Sequence, residues 1–224
     1  MGGRCFVVTL GFHEDVVVRR LVECGCRRGD VVVVFTGPPC EGVRRAFEGL
    51  RVLGLRAGFG EPRLVHLDPL DAPGCVSRVV SCLVDAGCGE RRVVAEVGAG
   101  LRGVGLCVLL GLLAGGFEFD LFVELEGFGK NMFIPGSVLR ALVGGLSGFD
   151  ARVLTAIASC PGCSQAEMAR EAGIKPKTFA NRVSVLRRMG LVEKRGRSPP
   201  RLSEWGAVVV KALRARGLGS CLEA

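Results

Sequence analysis

At 224 residues and 49% apolar composition, the chain is long enough for one ordinary core plus a small second domain, and too apolar to be disordered. Its net charge of +8 is unevenly placed: residues 1–147 carry sixteen Lys and Arg against sixteen Asp and Glu, while residues 148–224 carry fourteen against six. That excludes a uniformly basic protein and points to a neutral module joined to one that meets a polyanion.

The first two-thirds alternate between two kinds of segment. Runs rich in Val, Leu and Phe at 5–10, 31–36, 63–67, 92–97 and 119–125 predict strands, and the stretches 13–25, 40–54, 72–87 and 101–115 between them are long enough for helices. This grammar calls for a Rossmann-like α/β fold, a mostly parallel sheet covered by helices on both faces. Residues 131–134 follow the fifth strand closely enough to form an antiparallel edge. Residues 136–147 predict a short helix, with the domain boundary at 146/147. The longest apolar stretch, 104–117, is interrupted by glycine and shorter than the roughly 20 residues a membrane span needs. It reads as a buried helix, and no membrane partner is expected.

From Phe149 onward the pattern is helical with short turns. Residues 150–159 predict a helix. Ser164-Gln165-Ala166-Glu167 is a capping box opening a second helix that stops at Gly173. Pro176 suits the first turn of a third, which ends at Gly190. Residues 191–194 and 201–202 flank a Gly/Pro tip, and Ser203 caps a last helix. Three helices, a wing and a helix make a small winged helix-turn-helix domain, 147–224. Phe179, Val183 and Leu186 form the core stripe of the third helix. Opposite them lie Lys177, Thr178, Asn181, Arg182, Val185 and Arg188, the amide, hydroxyl and guanidinium groups that major-groove reading requires. Lys175, Arg187, Lys194, Arg195, Arg197 and Arg201 are suited to phosphates. Double-stranded DNA is the expected partner.

GAGLRG at 98–103 follows a strand and opens a helix, so its glycines let backbone amides approach an anion at the positive end of that helix. It also matches the dinucleotide fingerprint, with Glu124 about where a ribose-binding acid would stand. An NAD(H)-responsive redox repressor is therefore an alternative, although the fingerprint normally follows the first strand and Arg102 is no part of it. Thr9-Leu10-Gly11-Phe12 and Thr36-Gly37-Pro38-Pro39, followed by Gly42 and Arg44, end two other strands on the same sheet edge. The three turns together predict one composite cleft.

Eleven cysteines are many for this length. With no charged-then-apolar leader visible, the expectation is a cytoplasmic protein with mostly reduced thiols. Cys24-x-Cys26 and Cys160-x-x-Cys163 lack second pairs at zinc spacing, and His13 and His66 stand alone, so no metal site is expected. A Cys160–Cys163 bridge is compatible with a hyperthermophilic source.

A first strand ending T-L-G-F, the pattern Glu96-x-x-x-Gly100-x-Arg102 and a terminal winged helix together resemble archaeal CRISPR-associated regulators. In these, a CRISPR-associated Rossmann-fold (CARF) sensor is fused to a winged-helix DNA-binding domain. The resemblance implies a homodimer that binds cyclic tetra-adenylate across its two-fold axis and acts on CRISPR-associated promoters or leader regions. It implies ligand contacts from Thr9, Leu10, Gly11 and Phe12, from Gly98, Ala99, Gly100, Leu101 and Arg102, and from Gly37, Pro38 and Arg44. The family's loop often has a hydroxyl residue where Gly98 stands and Asp where Glu96 stands. Some related sensors cleave cyclic oligoadenylate, so a ring nuclease is a further alternative. With no poised histidine or paired carboxylates near the loop, the expectation is a regulator without catalytic residues or cofactor.

Overall fold

In the computed structural model, residues 3–125, 130–143, 146–194, 196 and 198–215 are described. The chain divides into two compact units, 1–134 and 135–224. The boundary falls ahead of the expected 146/147 because the helix Gly136–Val143 packs with the second unit: Val138 is fully buried and Ser137 Oγ donates to the Met189 carbonyl at 3.0 Å.

The first unit is built on a six-stranded sheet. In chain order its elements are β1 (Cys5–Thr9), α1 (Asp15–Glu23), β2 (Val31–Thr36), α2 (Glu41–Ala57), β3 (Arg63–His66), α3 (Ala72–Asp85), β4 (Val93–Glu96), α4 (Arg102–Ala114), β5 (Phe119–Leu125) and β6 (Lys130–Ile134). The sheet order is β3-β2-β1-β4-β5-β6, parallel except for the predicted antiparallel β6 edge. Alternation along the strands sorts side chains by face. Phe6, Val8 and Leu10 of β1 and its turn, with Val32 and Val34, pack against Val17 and Leu21 of α1 and Ala46 and Leu50 of α2. Helices α3 and α4 pack against each other, burying Val79, Leu83, Val104, Val108 and Leu112. Val31 through Val34 are β-branched and fit a strand covered on both sides.

The second unit holds α5 (Gly136–Val143), α6 (Gly148–Ser159), α7 (Gln165–Glu171), α8 (Pro176–Arg188), β7 (Val192–Glu193), β8 (Arg201–Leu202) and α9 (Glu204–Ala215). Both halves of the capping box are made: the Glu167 amide donates to Ser164 Oγ and the Ser164 amide to Glu167. Ser203 Oγ accepts the Gly206 amide at 3.0 Å and opens α9. Leu154, Met168, Phe179, Leu186 and Leu191 form the small core, and β7 and β8 pair as the base of the wing. No single helix among the described residues is long and apolar enough to cross a membrane.

Among the described residues six cysteines are free and two disulfides form: Cys160–Cys163, which the sequence allows, and Cys5–Cys88, with Cα atoms 5.5 Å apart. The second is invisible in the sequence because 83 residues separate its ends. It arises because Cys5 pairs in register with Val93 of β4, and Cys88 lies in the turn just before that strand. Cys75, Cys82 and Cys107 are free and buried, as small apolar side chains are.

Candidate functional site

From β1 the chain winds to β2 and β3 on one side, then crosses to β4 on the other. The β1 and β4 turns therefore diverge where a doubly wound sheet opens its ligand crevice. The two turns interlock. A Cβ on Gly11 would lie 2.9 Å from Gly100 Cα, and one on Gly100 would lie 2.6 Å from the Leu10 carbonyl oxygen. Gly100 also has φ +77°, in the left-handed region that side-chain-bearing residues avoid. Thr36 Oγ1 ties in the β2 end by donating to the Leu10 carbonyl at 3.0 Å, and Leu101 lies over Gly37.

Glu96 fixes this arrangement from beneath. It is fully buried at the end of β4. Its Oε2 accepts from Arg20 Nε at 3.1 Å, and its Oε1 accepts the amides of Gly98 (2.9 Å) and Glu124 (3.1 Å). Arg20 is buried as well, donates to Glu23 and stacks over Phe122 at 4.0 Å. The carboxylate is thus matched by a charge and two backbone donors, which is what a buried charge requires. The geometry also explains the missing hydroxyl at 98. A Cβ there would lie 2.5 Å from the Glu124 amide nitrogen and 2.8 Å from Glu96 Oε1, so Glu96 occupies the space and takes the Gly98 amide.

The crevice side chains sort clearly. Thr9, Leu10 and Ala99 are buried; Thr9 Oγ1 faces the Glu96 carbonyl at 3.4 Å, so at these positions only backbone is available to a ligand. Phe12 (67% exposed), Leu101 (52%), Pro38, Gly100 and Arg102 lie open. Arg102 is the first residue of α4, whose leading amides have no partner within the helix, and no ion pair holds its guanidinium among the described residues. Arg44 is engaged instead: it pairs with Glu41 at 2.8 Å on the exposed face of α2, and Arg45 and Arg44 hold the Glu41 carboxyl below its ordinary range. Glu124, where a ribose-binding acid would stand, has Oε1 paired with Arg19 of α1 at 3.0 Å, while its Oε2 is buried with no hydrogen-bond partner among the described residues.

One residue that sequence reasoning set aside joins this edge. His66, the last residue of β3, places Nδ1 2.8 Å from the Gly37 carbonyl oxygen, and Pro69 lies over Gly103 of α4. The rule that gathered the β1, β2 and β4 turns applies equally to β3 and would have found it. Among the described residues no group of three or more His, Cys, Asp or Glu could hold a metal ion.

In the second unit, α8 buries Phe179, Val183 and Leu186 as the stripe predicts. Lys175, Lys177, Thr178, Asn181, Arg187, Arg188 and, on the wing, Arg201 are exposed. Arg182 is partly withdrawn, with its Nε 3.8 Å from Asp150 Oδ1, and Val185 is half-buried. Lys194 Nζ donates to Gln165 Oε1 at 3.1 Å, which steadies the wing against α7. Arg195 and Arg197 lie outside the described residues.

Residues 4–135 match the family model of the Csa3 CRISPR-associated Rossmann-like domain, and residues 146–193 match that of a winged helix-turn-helix DNA-binding domain. The chain is similar to the CRISPR locus-related protein Csa3 of Saccharolobus solfataricus, 25% identical over 211 residues that cover 93% of this chain and 88% of the relative. A multiple antibiotic-resistance repressor (MarR) from Listeria monocytogenes is 27% identical over 37% of this chain and 59% of its own (TM-score 0.31). Can2 from Sulfobacillus thermosulfidooxidans, solved with cyclic tetra-adenylate, is 9% identical over 96% of this chain and 64% of its own (TM-score 0.42). The chain thus spans about two thirds or less of either solved protein, and neither overlay bears on function at these scores.

Proposed function

The chain belongs to the Csa3 family of CRISPR-associated Rossmann-like proteins, and from that premise we propose that it is a homodimeric regulator of CRISPR-associated loci. In this reading the cleft of the first unit senses cyclic tetra-adenylate and the second unit reads duplex DNA. One observation supports the sensor half above the others: the β1 and β4 turns touch through Gly11 and Gly100, with Arg102 exposed at the start of α4 and without an ion pair among the described residues. Such a crevice offers backbone amides, a helix dipole and a permanent cation to a phosphate. A two-fold dimer presents the patch twice, so a ring of matching symmetry meets both copies.

The exposed Lys177, Thr178, Asn181 and Arg188 of α8 enter the major groove, while Lys175, Arg187 and Arg201 contact phosphates. Two α8 helices set by the dimer axis require a palindromic or pseudo-palindromic site, and the ring alters DNA affinity if it binds two dimer arrangements unequally. The protein acts in the cytoplasm, where such DNA lies, and as a regulator rather than an enzyme. The Arg19–Glu124 pair occupies one oxygen of the acid that a ribose would need, which disfavours NAD(H).

A thermal-shift panel with cyclic tetra-adenylate, NAD and NADH, combined with a search for linear adenylate products, tests this. Stabilisation by the cyclic adenylate alone, with the ring intact, is the expected result. A shift with NADH alone, or steady release of linear product, replaces the proposal.

A further inference from the structure

Beside the crevice, a groove of about 750 Å³ opens at the ends of β2 and β3. Its walls include Pro38, Leu67 and Leu70, and its polar groups include His66, Asp68 and Arg78. Pro38 is also part of the β2 turn, so groove and crevice share one loop. A carbonyl oxygen only accepts, so the 2.8 Å contact with Gly37 places the His66 proton on Nδ1. In the neutral ring that leaves Nε2 as an acceptor, and it has no partner among the described residues. Asp68 Oδ1 is taken by the Leu70 amide at 3.0 Å, and Asp71 Oδ1 by the Gly74 amide at 3.0 Å. One oxygen of each carboxylate is thus committed, and the imidazole, pinned by Gly37, is a fixed acceptor beside a wall of proline and leucine. Arg78 is exposed and carries no ion pair among the described residues.

We propose that this groove is a base pocket for an amine-bearing purine, adenine, with His66 Nε2 accepting from its exocyclic amine, Pro38 and Leu70 flanking the ring, and Arg78 facing the attached phosphate. This rests on the reading of the crevice as a nucleotide site and adds what that reading lacks, a reason for choosing adenine. A purine with a carbonyl at the same position turns a lone pair toward Nε2 and is rejected, because neither atom then has a donor.

The test uses the full chain, titrated with cyclic tetra-adenylate and with cyclic tetra-inosinate. His66→Asn keeps a side-chain N–H near the Gly37 carbonyl but removes the second nitrogen, separating support of the loop from reading of the base; His66→Gln keeps an acceptor at the Nε2 position. Wild type is expected to prefer the adenylate by about tenfold or more, His66→Asn to lose that preference, and His66→Gln to restore part of it. If wild type binds the adenylate but His66→Asn retains the full preference, the base pocket is wrong and the crevice stands. If wild type binds neither ring, the nucleotide reading itself fails and the pocket with it.

Discussion

The cations of the two units differ in what they face. In the first unit seven arginines meet a carboxylate of the same fold: Arg4 with Asp30, Arg19 with Glu124, Arg20 with Glu96, Arg44 and Arg45 with Glu41, Arg51 with Glu48 and Glu61, Arg92 with Asp120. Arg102, at the crevice, and Arg78, at the neighbouring groove, carry no ion pair among the described residues. In the second unit Lys175, Lys177, Arg187, Arg188 and Arg201 stand exposed without an ion pair among the described residues, while the half-withdrawn Arg182 meets Asp150. Matched charge builds a fold, whereas unmatched charge on an ordered surface waits for a partner. The first two-thirds balance their charge and pair much of it internally, whereas the excess in the last third lies on the face proposed to meet DNA.

The largest effect that sharpens this contrast comes from Glu96. Glu96→Ala strands the buried Arg20 guanidinium and frees the Gly98 and Glu124 amides, and about 3–5 kcal/mol of stability should be lost in chemical denaturation. A loss below about 1 kcal/mol would place the pair among ordinary surface contacts. In the second unit, affinity for duplex DNA should fall with salt at a log–log slope of roughly −5, as about six phosphate contacts imply, and Lys175→Ala should lower that slope by about 1. A salt-insensitive affinity breaks the comparison from the other side.

Arg102→Ala should leave the melting temperature nearly unchanged while weakening cyclic tetra-adenylate binding by about ten- to a hundredfold, the cost of a charge-assisted hydrogen bond. A calorimetric titration on the variant reads this, and unchanged affinity would move the ligand elsewhere. The smallest effect concerns acid. Burial alone raises the Asp30 pKa, but the amides of Arg4 and Arg27 and the Arg4 guanidinium outweigh it and hold the carboxyl below its usual range. A depressed folded value contributes stability above the ordinary carboxylate pKa that is lost as pH falls through the lowered one. Asp30→Asn should flatten the acid limb of the stability curve, and an unaltered limb would remove Asp30 from the account.

Much of this was legible in the sequence because it is local. The Val-rich strand runs, the Ser164–Glu167 capping box and the Phe179–Val183–Leu186 stripe each declare themselves within a few residues. Glycines at 11, 37, 98 and 100 marked the turns correctly. What stayed hidden depends on contacts across the chain: Arg20 lies 76 residues from Glu96, His66 lies 29 from Gly37, and Cys5 lies 83 from Cys88. Side-chain direction was hidden too. The resemblance counts Thr9 among the ligand contacts, and its place in β1 turns the hydroxyl inward toward the Glu96 carbonyl. Helix α5 was read as a tail of the first unit because the sequence does not show that Ser137 bonds to the carbonyl of Met189.

The most direct test of the central claim, a nucleotide-sensing crevice coupled to a DNA-reading helix, is a calorimetric titration of the full chain with cyclic tetra-adenylate, repeated with operator DNA present. The account predicts one ring per two chains and a ring affinity that changes when DNA is bound, because coupling between two sites is reciprocal. A ring that fails to bind, or one that binds with the same affinity whether or not DNA is present, would contradict it.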